Sequence, residues 1–189
     1  MILSPRIRLG FAAAVLTALS PLALAQHDHM HGAKPPVPAG ASAIAVLVPG
    51  SGSQVTGTVK FTQVADGVRV EADVQGLTPG AHGFHVHEKG DLSKPDLTSA
   101  GGHFNPEGHP HAARTATERH AGDLGNLEAG PDGHALVDFV DPKLQLTGPH
   151  AIIGRAVIIH AKADDLKSQP TGDAGGRVAG GVIGLVSEK

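Results

Sequence analysis

The chain has 189 residues, a formal net charge of −3 and no cysteine, tryptophan or tyrosine. That composition excludes disulfides and thiolate metal ligands. With no basic runs and only five aromatic residues it offers little for nucleic acid to stack on.

Residues 1–25 read as a secretory signal peptide. Arg6 and Arg8 supply the positive start, LGFAAAVLTALS (9–20) the apolar middle, and Ala23-Leu24-Ala25 the cleavage motif, so the mature chain starts at about Gln26. The apolar run is interrupted by Thr17, Ser20 and Pro21 and is short for a span, so the mature form is expected without one, exported to the periplasm. Losing Arg6 and Arg8 moves the charge from −3 to −5. Residues 26–41, QHDHMHGAKPPVPAGA, form a His- and Pro-rich arm. Its His27, His29 and His31 suit a metal-collecting tail as well as they suit a polar leader with no specific role.

From Ser42 to the end, 42–189, the pattern is that of one β domain. AIAVLV (43–48) is a short apolar run closed by Pro49-Gly50, and QVTGTVKFTQV (54–64) follows. VRVEADV (68–74) alternates, with Val68, Val70, Ala72 and Val74 on one face and Arg69, Glu71 and Asp73 on the other. The Asp66-Gly67 pair before it signals a hairpin. HGFHVH (82–87), the stretch near 124–129, HALVDFV (134–140), GRAVIIH (154–160) and GVIGLV (181–186) complete about eight short strands. With 26 glycines and 14 prolines and no convincing helix, the expected fold is an all-β antiparallel sandwich or barrel. Two stretches lack strand character, 88–123 and 161–179, and long loops of that kind are usually functional.

Both loops start beside a histidine. In GFHVHEKGD (83–91), strand geometry puts Phe84 and Val86 on one face and His85 and His87 on the other. His103, His111 and His120 follow along the first loop, Asp123 comes three residues after His120, and His160 ends the strand AVIIH. Six imidazoles and one carboxylate are too many for one tetrahedral site and suit two adjacent sites with a shared ligand. A four-histidine set favours Cu(II) or Zn(II), and three histidines with one aspartate suit tetrahedral zinc. His109 competes with His111 for the latter set. His82, His134 and His150 fall outside it, with His82 a candidate brace between loops.

The segments GFHVHEKGD, SAGGHFNP (99–106), RHAGDLGN (119–126), IIGRAVIIHAKADDL (152–166) and GGRVAGGVIGL (175–185) resemble the copper/zinc superoxide dismutases, across roughly residues 42–187. The resemblance implies an eight-stranded antiparallel Greek-key barrel or sandwich with two long functional loops. It implies one copper and one zinc ion per subunit, with copper on His85, His87, His103 and His160, and zinc on His103, His111, His120 and Asp123. His103 is then the bridge and releases copper on reduction to carry a proton. Asp164 would link histidines of the two sites, and Arg177 would guide the superoxide anion. The subunit is expected as a monomer or homodimer. The family's usual disulfide is missing, since Leu97 and Gly180 stand at the matching positions, as in an exported bacterial type without those cysteines. A module that only buffers copper or zinc remains the competing reading at this level, supported by the histidine arm.

Overall fold

Alternation of aliphatic and polar residues builds most of the strands. In the computed structural model, which describes residues 40–186, these are β1 (Ser42–Pro49), β2 (Thr56–Val64), β3 (Gly67–Gln75), β4 (Gly80–Val86), β5 (Asp123–Ala129), β6 (Ala135–Asp141), β7 (Ala156–His160), β8 (Arg177–Val182) and β9 (Gly184–Leu185). The signal peptide and all but the last two residues of the arm lie outside the described residues. Apart from the strands, the described residues hold one short 3₁₀ turn, Thr98–Ala100. No helix among the described residues is long and apolar enough to cross a membrane.

All strand pairs are antiparallel, in the order β5-β4-β7-β8-β1-β2-β3-β6, with β9 added on β1. β5 and β6 stand at the two ends of that order and lie against each other, so the sheet curls into a nearly closed barrel. β3 pairs with β6 and β4 with β7, which is Greek-key connectivity. The inward residues, among them Val59, Phe61, Val68, Val70, Val74, Phe84, Val86, Leu127 and Ile159, are fully buried in one core. The two end strands, β5 and β6, are not joined by a ladder, and their approach covers the edges they would otherwise expose.

Local chemistry accounts for the differences from expectation. The β2–β3 hairpin turns on Ala65-Asp66, while Gly67 already pairs with Val64. Gly67 has φ +144°, and a Cβ there would lie 2.2 Å from the Asp141 carbonyl oxygen, so only glycine lets β6 end beside the turn. The final strand starts at Arg177, earlier than Gly181, and it breaks at Ile183. Ile183 leaves the ladder because its N–H donates to the Arg155 carbonyl and its own carbonyl accepts from Gly154 N, both at 2.9 Å. Glycines 180 and 181 dilute the strand signal, yet a Cβ on Gly181 would sit 2.6 Å from the Val46 carbonyl oxygen.

Two connections cross one side of the barrel, 87–122 and 161–176. A small apolar cluster pins the first of them: Leu97, Ala100, Ala156 and Ile158, with Leu92 alongside. Leu97 is buried, adopts φ +61° and packs over Gly180, where a Cβ would lie 3.3 Å from its Cδ1. Residues 97 and 180 therefore stay in contact without sulfur, with Ile158, Leu92 and Leu97 filling the space a glycine leaves. Leu97→Ala is expected to cost about 2–5 kcal/mol of unfolding free energy. Urea unfolding of the metal-free protein measures it, and a loss well below 1 kcal/mol would show that the cluster does not hold the loop.

Candidate metal centre

The barrel places the histidines of different segments side by side. His85 on β4 pairs with Ile158 of β7 on one side and with Asp123, the first residue of β5, on the other. A register shift between Gly83 and His85 marks a bulge there. Phe84 and Val86 point into the core, which leaves His85 and His87 for the face covered by the loops. His87 forms an isolated bridge with His103, and this draws the first loop onto that face. His160 ends β7, opposite Arg177 of β8.

Two groups of buried side chains result. One ligand atom from each of His85, His87, His103 and His160 lies within 4.8 Å of the others, and the same holds for His103, His111, His120 and Asp123. His103 belongs to both. Its ring stacks on His85 with centroids 3.9 Å apart, and it lies edge-on to His111 at 5.3 Å and to His120 at 5.6 Å. His103 Nδ1 donates to Asp123 Oδ1 at 2.9 Å, whereas Nε2 has no partner. Asp123 Oδ1 also takes His111 Nδ1 at 2.9 Å and has His120 Nδ1 at 3.2 Å. Its Oδ2 accepts from the backbone N–H groups of Ala112 and His120.

Asp164 ties the groups together, its Oδ2 bonded to His85 Nε2 at 2.8 Å and its Oδ1 to His111 Nε2 at 2.9 Å. Arg177 is half-buried, and its guanidinium donates to the carbonyls of Leu97 and Gly101, both at 2.6 Å. His109 stays out of both groups, partly exposed at 3.4 Å from Glu107. His82 is buried and its ring nitrogens bond the carbonyls of His160 and Thr78, both at 2.8 Å. His134 instead pairs with Asp73 at the surface.

Several contributors carry no chemical signal in the sequence. Asn126 brackets Asp164, accepting from its N–H at 2.8 Å and donating to its carbonyl at 2.9 Å. Gln169 does the same to the backbone of His111, with both bonds at 2.8 Å. Arg119 is buried beside His120. Amides acting on backbone are invisible to a search for ligand types, and only the pairing of distant loops exposes them.

Burial separates the two groups electrostatically. Desolvation lowers the pKa of His85 despite its bond to Asp164, and lowers His87 well below the ordinary value with help from the charges of His103 and Arg177. The same cause takes His103 to about 4 and His160 to about 3. These imidazoles are neutral at neutral pH, the state a metal requires. Burial acts downward on His111 too, but its bonds to Asp123 and Asp164 outweigh it and raise the pKa to about 9. For Asp123 and Asp164 burial acts upward, and the imidazole hydrogen bonds override it and hold both well below the carboxylate range.

The residues fit a copper and a zinc ion. Buried polar atoms without partners are costly, and His85 Nδ1 and His103 Nε2 are two such atoms at this centre. Four imidazoles match copper, and three imidazoles with one carboxylate match tetrahedral zinc. The copper/zinc superoxide dismutase family profile matches residues 55–183. Among solved structures, the crystal structure of the clock protein EA4 is similar, with a TM-score of 0.72 and 48% identity, over 80% of this chain and 98% of that one.

In the metal-free protein His111 is expected to titrate near pH 9, while His103 and His160 stay neutral above about pH 5. A raised pKa stabilises the fold fully below the ordinary 6.5, and that contribution is lost as pH rises through about 9. Imidazole NMR titration checks this, and a His111 midpoint at or below 6.5 would contradict the double carboxylate contact.

Proposed function

Because the chain belongs to the copper/zinc superoxide dismutase family, we propose that it dismutes superoxide at a copper ion joined to a zinc ion through His103. His85, His87, His103 and His160 would hold copper, and His103, His111, His120 and Asp123 would hold zinc, one ion of each per subunit. The observation that carries this reading is the membership of one buried ring in both groups, with Nδ1 turned to Asp123 and Nε2 unpartnered. Copper held there would supply one-electron exchange, by which one superoxide would give up an electron and leave as O2 and a second would gain it and, with two protons, leave as H2O2, while zinc would take no part in redox.

The chain's own residues do the rest. Burial keeps the imidazoles of the copper set neutral and available. Asp164 fixes the ring planes of His85 and His111 at once, as carboxylates behind metal-binding histidines do. Nε2 of His103 is the position at which a proton for peroxide would be held. Arg177, gripped by two carbonyls and paired across from His160, presents a fixed positive charge. In a low-dielectric cleft such a local charge attracts a small anion although the chain as a whole is negative. A metal-buffering module would need no arginine held in this place.

The leader over 1–25 points to export, so the enzyme would act in the periplasm and protect the cell envelope from superoxide. It would do so as a monomer or homodimer.

Metal content and superoxide turnover measured on one purified sample test the reading. Wild type should carry both ions and turn over, and His103→Ala should lose turnover and weaken both ions; full activity in that variant would end the proposal. Arg177→Ala should keep its copper yet lose about tenfold or more in kcat/KM, with a flatter salt dependence. An unchanged rate would remove Arg177 from the mechanism.

A further inference from the structure

Arg119 heads the fully buried large side chains among the described residues, at 1% exposure. A guanidinium does not shed its proton, so a cation stands in the interior and each of its contacts needs a reason. Nη2 donates to Asp141 Oδ2 at 2.6 Å, at the end of β6. Nη1 is directed at backbone: it donates to the carbonyls of His120 at 2.9 Å, Ala121 at 3.3 Å and Asp123 at 3.2 Å. Those carbonyls belong to the tight turn 120–123, closed by Asp123 N–H on the His120 carbonyl. The first and last residues of that turn carry two of the four donors in the three-histidine, one-aspartate group.

The contact continues away from the site. Asp141 Oδ1 accepts from the N–H groups of Lys143 at 2.9 Å and Leu144 at 3.2 Å, so the carboxylate is itself held by the start of the β6–β7 connection. The line therefore runs from the ligand turn through the guanidinium to the barrel wall. Stability alone is a poor reason to bury such a pair, because desolvation offsets most of the attraction. A planar fork that takes several carbonyls on one side and a carboxylate on the other is a geometric device, and lysine cannot reproduce it.

We infer that Arg119, anchored by Asp141, is a positioning residue for the zinc group, setting the placement of His120 and Asp123 through the carbonyls of their turn. This rests on the zinc reading given above. It bears on zinc first, since Arg119 makes no hydrogen bond to a residue of the copper set and reaches that set only through Asp123, which bonds His103 and pairs with His85.

The test uses the mature chain as wild type, Arg119→Lys, Arg119→Met and Asp141→Asn, with Val59→Ala, a barrel-core change, as a general destabilisation control. Zinc affinity is read against a competing chelator, cobalt(II) is used as a spectroscopic substitute, copper affinity is measured in parallel, and circular dichroism reports folding. Expected for Arg119→Lys and Asp141→Asn is a zinc affinity lower by about 10–100-fold, altered cobalt d–d bands and copper affinity within about threefold of wild type. Val59→Ala should lower the unfolding midpoint and leave zinc affinity and the cobalt bands in place. The inference is overturned by wild-type zinc affinity and cobalt bands in folded variants. It is also overturned if zinc and copper weaken together as stability falls, or if none of the three variants folds, since the role is then only structural. Should Arg119→Met alone fail to fold, the other two decide. Failure of the wild-type chain to take up zinc or cobalt would sink the metal reading and this inference with it, whereas loss of the effect in the variants sinks this inference alone.

Discussion

One carboxylate oxygen, Asp123 Oδ1, has three imidazole nitrogens within 3.2 Å, and the residue is fully buried. A buried anion is tolerable only when paired and hydrogen-bonded. The surroundings of Asp123 meet that demand: its second oxygen is held by two backbone N–H groups, and His111 stands between it and a second carboxylate, Asp164. In the metal-free chain a proton on His111 offsets part of this negative charge. The same arrangement, three imidazoles converging on one carboxylate oxygen, places side by side the donors a divalent cation would need. Pre-organisation of the donors reduces the ordering that binding must accomplish.

The barrel supplies a rigid floor, and the chemistry is held by loops laid over it. Loops by themselves would be the least stable part of the structure. Here each is tied at several points by contacts that differ in kind: Leu97 packs over Gly180, Arg177 grips two carbonyls of the first loop, Gln169 joins the second loop to His111, and Asn126 of β5 brackets Asp164. Arg177 is both a tie and a charge, so order in the first loop and the position of the cation change together. A Cβ at Gly172 would come within 1.8 Å of Asp164 Oδ1, so the second loop also closes on the carboxylate as tightly as a glycine allows.

Legibility in the sequence followed the range of the interaction. β2, β3 and β6 announce themselves because alternation is a local property, visible without knowing the partner strand. The start of β8 is hidden in the sequence, since glycines required by close approach to β1 and to Leu97 remove the side chains that would mark it. The side chains the structure brings into its two groups were visible as histidines and one aspartate, and the family motifs set their grouping apart from His109. Arg119, Asn126 and Gln169 were not visible, because their targets are carbonyls and N–H groups, which every residue has. Nothing in RHAGDLGN distinguishes an arginine that faces solvent from one that holds a turn.

What the amino-acid order determined alone was the inventory: imidazole and carboxylate as donors, no thiol, short alternating strands, and two long connections rich in the residues that bind cations. The tertiary structure decided which donors meet. His85 and His160 are 75 positions apart and become neighbours only because β4 pairs with β7, and Asp123 reaches His85 only across the β4–β5 ladder. Backbone geometry dictates where a side chain points within a strand, but contact between segments so far apart depends on burying a common core, and that is a property of the closed barrel as a whole.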